Sequence, residues 1–247
     1  MLNVEQRVST LNVESQELIS QKTILWFAGM FEAAGAIGFA ITPPDLKGKI
    51  YTKPLITFND RVEGSVLQLQ ELFGGAVRKK AGENSFEWRI TGYEAASLVR
   101  KIVPYTPSRR FVAFFVDAWL KHPDIQTRVE IARHAKGNTR DLTVSSDDYE
   151  SLVEIPEFVA GVYDARGGSY FDESGYEKVV VSSVNASLLE ALKQQFGGNV
   201  YIHDHAGQAA KQYVLKRDSY VWMLQRKGLI EEFKQTIAPH TRFKHPD

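Results

Sequence analysis

Two stretches of this chain are copies of one another. Trp26-Phe27-Ala28-Gly29-Met30-Phe31-Glu32-Ala33-Ala34-Gly35 and Phe158-Val159-Ala160-Gly161-Val162-Tyr163-Asp164-Ala165-Arg166-Gly167 lie 132 positions apart. Both read apolar, Ala, Gly, apolar, aromatic, acid, Ala, any residue, Gly. Gly29 and Ala33 are four apart, as are Gly161 and Ala165, so each stretch forms a helix with a small-residue seam on one face. Helices pack at about 8–10 Å, and a Gly/Ala seam allows the near end of that range. Phe27, Met30 and Phe31, with Val159, Val162 and Tyr163, point away from the seam into a core of each half. Gly35 and Gly167 end the two helices.

The duplication continues downstream. Phe73-Gly74-Gly75-Ala76-Val77 answers Phe196-Gly197-Gly198-Asn199-Val200, and Ile102-Val103-Pro104-Tyr105-Thr106 answers Ile237-Ala238-Pro239-His240-Thr241. Arg109 and Lys244 both fall five residues after their proline. In the first half, residues 36–42 alternate as a strand, Pro43-Pro44-Asp45 turns, and Lys49 to Phe58 is a second strand. Asp60 with Glu63 has the form of a helix N-cap, followed by a helix ended by Gly74-Gly75. Ala76–Lys80 pairs with Ser85–Thr91 as a hairpin. Gly92 then leads into a helix with Ala96, Val99 and Ile102 inward. Thr106-Pro107 caps the next helix, which carries Phe111, Phe114, Phe115, Ala118 and Trp119. A short helix over 123–136 follows. In the second half the order repeats: strands Gly168–Glu173 and Glu177–Ser183, helix Ala186–Phe196, strands Asn199–His205 and Gln212–Lys216, then helical sequence to Ile237. Each half is thus an α+β unit, an antiparallel sheet with helices on one face. The division is residues 1–23 as an N-terminal extension, 24–136 as the first repeat, 137–155 as a polar linker and 156–247 as the second repeat.

Thirty basic and thirty acidic residues give zero formal net charge. That argues against a tight duplex binder, since phosphate neutralisation supplies most non-specific affinity, but a local basic face is compatible with it. No apolar run reaches the roughly 18 residues a membrane span needs, so no membrane partner is expected. The chain has no cysteine, which excludes disulfides and thiolate metal sites. Residues 1–23 lack a secretory apolar core and are too acidic for a convincing transit peptide. An intracellular location is expected, with mitochondrion and plastid left open.

The paired stretches resemble the signature helix of the LAGLIDADG homing endonucleases, present twice as in the single-chain, two-repeat members. The resemblance runs from Trp26 to nearly the C-terminus. It implies a pseudo-dimeric monomer whose two sheets form a saddle on DNA, with the signature helices between the halves. Family members cut both strands with divalent metals held by an acid at the eighth position of each signature. Here that position is Ala34 in one copy and Arg166 in the other. Ala34 offers no ligand, and Arg166 repels a cation. Glu32 and Asp164 are reserves, but they stand two residues earlier, about 200° around the helix; polar or salt-bridged groups near the helix end is the preferred reading. The family's basic residue near each active site is matched by Arg109 and Lys244.

On the sheets, alternation offers Lys49, Tyr51, Lys53, Arg78, Lys80 and Arg89 in the first half, and Tyr201, His203 and Lys216 in the second. Basic residues interleaved with aromatics suit phosphate and base contacts, while Asp172, Glu173 and Asp204 weaken the second half. His203 and His205 share a face, but no further ligand accompanies them, so no metal site is expected. No Gly-rich phosphate loop, nucleophile elbow or zinc motif is present. The leading expectation is a non-cleaving nucleic-acid-binding protein with no cofactor, acting on RNA as an intron maturase or ribosomal RNA-associated protein does, or on duplex DNA. Two alternatives stay open: an active endonuclease with displaced Mg2+ ligands, and a protein scaffold in a larger, ribonucleoprotein assembly.

Overall fold

The computed structural model of the protein describes residues 19–136, 143–203 and 219–244. Helix α1 (Gln21–Ala34) starts where the Ser20 side chain accepts the Thr23 N–H, satisfying a donor the helix itself leaves open. Its counterpart α7 (Pro156–Arg166) starts with proline in its first turn. Both end on glycine, whose N–H bonds back to the Phe31 or Tyr163 carbonyl.

The two signature helices pack against each other along the expected seam. A Cβ on Gly29 would lie 1.9 Å from the Phe158 carbonyl oxygen, and one on Gly161 would lie 1.9 Å from that of Trp26. Only glycine allows this approach. The reciprocal contacts make the pair pseudo-symmetric.

Each half then builds a four-stranded antiparallel sheet. The first contains β1 (Ala36–Ile41), β2 (Thr52–Asp60), β3 (Ala76–Lys79) and β4 (Phe86–Thr91), in the order β1-β2-β4-β3. The second repeats it with β5 (Gly167–Phe171), β6 (Glu177–Ser183), β7 (Asn199–His203) and β8 (Ser219–Leu224), in the order β5-β6-β8-β7. Alternation sends Ile56, Phe58, Trp88 and Ile90 inward in one sheet and Val179, Val181, Trp222 and Leu224 inward in the other, all buried. Helices α2 (Glu63–Phe73), α3 (Gly92–Ile102), α8 (Ala186–Phe196) and α9 (Lys227–Ile237) supply the covering apolar faces. The internal symmetry extends to polar detail. Each Phe-Gly-Gly turn offers a carbonyl, Gly74 or Gly197, to the indole N–H of Trp88 or Trp222, both at 2.8 Å.

Helices α4 (Arg110–Lys121) and α5 (Ile125–Ala135) close the first half, and α6 (Glu150–Val153) leads into α7. Several local expectations change. Asp60 is not a helix cap but the last residue of β2, and its carboxylate accepts the Val62 N–H at 3.0 Å. Residues 107–109 form a 3-10 turn before α4. That helix buries Val112, Ala113, Val116 and Trp119, leaving Phe111 and Phe114 exposed. The stretch expected as a polar linker buries Tyr149, Leu152 and Val153 in the core. The start of the sequence expected to be helical up to Ile237 is strand β8, because its short apolar run, Val221-Trp222-Met223-Leu224, fits either period and the pairing with β6 decides. The strand expected at Gln212–Lys216, and residues Asp204 and His205, lie outside the described residues.

Candidate functional site

Strand register sorts the sheet side chains into two faces. On β2, Thr52, Pro54, Ile56 and Phe58 are buried, so Lys53, Leu55, Thr57 and Asn59 occupy the opposite face. Arg89 pairs with Thr57 and with Ala76, and Arg78 pairs with Glu87, so Arg78, Arg89 and Lys53 share that face. Tyr51 and Lys80 join it by alternation just beyond the strand ends. Lys49 sits exposed on the β1–β2 turn, its backbone N–H held at 2.8 Å by the Asp45 carboxylate. The basic set is partly neutralised: Arg78 pairs with Glu87 at 2.8 Å and Lys80 with Glu83 at 2.7 Å. Lys53 is exposed and Arg89 half-buried.

The matching face of the second sheet carries Tyr170, Lys178, Val180, Ser182, Tyr201, Val221 and Met223. The one lysine on this face among the described residues, Lys178, pairs with Asp172 at 3.1 Å. Tyr201 is exposed as expected, and Tyr170 equally so. His203 is the last residue of β7, opposite Ser219. Lys216 lies outside the described residues.

The ends of α1 and α7 form the second part of the site. Neither reserve acid is at the surface. Glu32 is fully buried and accepts from the Ser108 N–H at 3.3 Å, the Tyr149 hydroxyl and the Asn185 amide at 3.2 Å. It therefore ties the first signature helix to the second repeat. Burial, with the Glu32 charge second, pushes the Tyr149 phenol far up. Asp164 is also fully buried and accepts from the Trp26 indole at 2.8 Å and the backbone N–H groups of Arg242 at 2.7 Å and Lys244 at 2.9 Å. Burial raises its carboxyl above the ordinary range against the pull of these donors.

Arg109 and Lys244 keep the equivalence that their spacing predicted, but not as surface charges. Arg109 is 2% exposed and donates through Nη2 to the Gly35 carbonyl, with its guanidinium over the Phe31 ring. Lys244 donates through Nζ to the Gly167 carbonyl at 2.7 Å, and burial lowers its ammonium pKa. Each cation thus sits at the C-terminal end of a signature helix, where the helix dipole is negative. Burial removes Arg109 from the contact surface.

At the eighth signature position, Ala34 is half-buried and the Arg166 side chain reaches solvent beside α7. Asp60, from the first repeat, lies within electrostatic range of both Arg166 and Lys244. No group of three or more His, Asp or Glu residues able to hold a metal ion occurs among the described residues. A methyl group, a guanidinium and two inward carboxylates do not fit a divalent cation at the helix ends.

Among solved structures, the chain is similar to LAGLIDADG homing endonuclease I-GzeII in complex with its DNA target, at 13% identity and a TM-score of 0.56, covering 90% of this chain and 84% of that one. It is similar to I-SmaMI bound to uncleaved DNA with calcium, at 11% identity and a TM-score of 0.58, covering 90% and 86%. LAGLIDADG meganuclease I-CpaMI bound to uncleaved DNA gives 11% and 0.56, covering 90% and 85%. The chain has the LAGLIDADG homing endonuclease fold. No protein-family model and no curated protein matches it. Within this fold, sequence reasoning missed three residues of the helix-end site. Asp60 was hidden by its resemblance to a cap, Tyr149 lies in the stretch that reads as linker, and Asn185 falls between the expected strand Glu177–Ser183 and helix Ala186–Phe196. Tyr170, on the second sheet, was legible by alternation with Gly168 and was not singled out.

Proposed function

We propose that this chain binds nucleic acid across the sheet faces turned from the helices, and that it does not cut it. The observation that carries the second half is the chemistry at the two helix ends. Ala34 and Arg166 hold the positions where a cleaving relative would place its acids, and Glu32 and Asp164 are committed to buried hydrogen bonds. Metal-assisted phosphodiester cleavage requires oxygen ligands at the reacting phosphate. The binding half is supported by the DNA-bound state of the similar structures and by Lys53, Arg89 and the exposed Tyr51, Tyr170 and Tyr201. Tyrosines on an open sheet suit unpaired bases, so structured RNA is carried as a target beside duplex DNA.

A scaffold role is the second reading. It is favoured by the ion pairs that occupy Arg78, Lys80 and Lys178 on this face. The two separate in a binding titration of the purified chain against mixed-sequence duplex DNA and a structured RNA at low salt. Binding should weaken with salt, and replacing Lys53 and Arg89 by Gln together should weaken it and flatten its salt dependence by about two. No binding to either polymer would leave the scaffold.

A further inference from the structure

We propose that the open face of the second sheet takes unpaired bases while that of the first holds backbone phosphates, so that the polymer suited to this chain is a duplex continued by a single strand. This rests on the nucleic-acid reading above and names the class of polymer within it. The observation that points to it is a pair of turns that share one backbone and differ in what they carry. In the β1–β2 turn the Asp45 carboxylate accepts the Lys47 and Lys49 N–H groups, each at 2.8 Å. In the β5–β6 turn the Asp172 carboxylate accepts the Ser174 and Tyr176 N–H groups, each at 3.0 Å. Each turn closes through a glycine of positive φ, Gly48 at 73° and Gly175 at 78°. At matched positions the first repeat thus presents two exposed lysines, and the second an exposed serine and an exposed tyrosine. The scaffold is kept and the charge is exchanged for a ring.

The rest of the second face continues in the same sense. The Tyr176 carbonyl accepts the Asp172 N–H, and two residues further along the ladder Tyr170 pairs with Lys178. The two rings therefore stand on one face as diagonal neighbours, roughly 7–8 Å apart. Gly168, Val180 and Met223 lie side by side as an uncharged floor, with Tyr201 beyond it on the far strand. Ser182 and Asn199 are exposed on the same face, and neither side chain hydrogen-bonds another described residue. Lys178 is neutralised by Asp172. Phosphates are held by lysine and arginine charge, whereas an aromatic ring meets the flat face of any base and uncharged polar side chains read base edges. Within a duplex the base faces are stacked on each other and out of reach, so these rings call for a single strand. A protein laid on this face would have to supply partners for both Ser182 and Asn199; unpaired base edges carry such groups. The first face is the complement, with Lys53 and Arg89 beside the lysines of its turn. Edge strands β1 and β5 follow directly on the paired helices α1 and α7, so the inner edges of both faces start at the helix pair.

The test uses the full chain and three probes: a blunt RNA duplex, and the same duplex with a single-stranded tail of about ten nucleotides, made once of RNA and once of DNA. At least one tailed duplex should bind about tenfold tighter than the blunt one. Tyr170→Ala with Tyr176→Ala should remove that gain without changing the salt slope, since no charge is lost. Tyr170→Phe with Tyr176→Phe should keep it, because a ring stacks without its hydroxyl. A gain from one tail alone identifies the sugar that the face admits and supports the inference as fully as a gain from both. If all three probes bind alike, or the gain survives in the alanine pair, the inference is overturned while the binding reading stands, and the second face is left to a protein. If no probe binds, the nucleic-acid reading falls and the inference with it.

Discussion

A fully buried carboxylate is costly unless hydrogen-bonded, and each signature helix carries one. Glu32 and Asp164 meet that cost with different partners: the side chains of Tyr149 and Asn185 with the Ser108 N–H for Glu32, and backbone N–H groups of the C-terminal segment with the Trp26 indole for Asp164. Asp164 has a measurable signature. Its folded-state carboxyl is raised above the ordinary 3.8 by burial. As pH rises through the unfolded value, the unfolded chain releases this proton while the folded chain keeps it. Stability therefore falls with rising pH between the two values and is flat above the folded one. Thermal melts of the protein and of Asp164→Asn should show the native chain losing ground to the variant across that window. A native chain that instead gains on the variant as pH rises would mean the three donors overcome burial and hold the carboxylate ionised. These partners were not legible in sequence. The acid positions were visible in the repeat, but what faces them comes from 117 and 153 residues away for Glu32 and from 78 and 80 for Asp164.

At the scale of elements, the helix pair was the most readable part of the chain. A small-residue seam repeated at one spacing leaves few packings, and the contact of Gly29 with the Phe158 carbonyl and of Gly161 with the Trp26 carbonyl is the one it implied. Backbone stands at both points, so no side chain can yield to an added methyl group. Gly29→Ala and Gly161→Ala should each lower stability by about 1–3 kcal/mol or more, read as a fall in melting temperature, despite the higher helix propensity of alanine. An unchanged melting temperature in both variants would separate the helices. The strands near Ser219 were less readable because apolar runs of four residues carry no decisive period. Pairing of Trp222 with Val181 and Val200 settles them, and pairing is a property of the whole sheet.

At the scale of the molecule, two repeats converge on a junction whose chemistry was readable in type but not in surroundings. Ala34 and Arg166 were visible as departures from the signature, and Lys244 as the basic residue near the second of them; Asp60 was not. This arrangement predicts how metal binding would return. A unit charge about 4 Å from a cation is worth roughly 4 kcal/mol at an effective dielectric near 20, so Arg166 opposes a divalent ion and an acid in its place would attract one. Ala34→Asp alone leaves the guanidinium in place and should give no site. Arg166→Asp alone supplies one carboxylate near Asp60, with Lys244 opposing it. Ala34→Asp with Arg166→Asp supplies a carboxylate from each helix end. Calorimetry with magnesium and manganese should detect a saturable divalent site in the double variant only. The native chain should leave both strands of a randomised duplex library intact under the same ions. A divalent site of equal affinity in the native chain, abolished by Glu32→Gln or Asp164→Asn, would overturn this. It would require the buried carboxylates to leave their present donors, and the same variants would then reveal the displaced ligands.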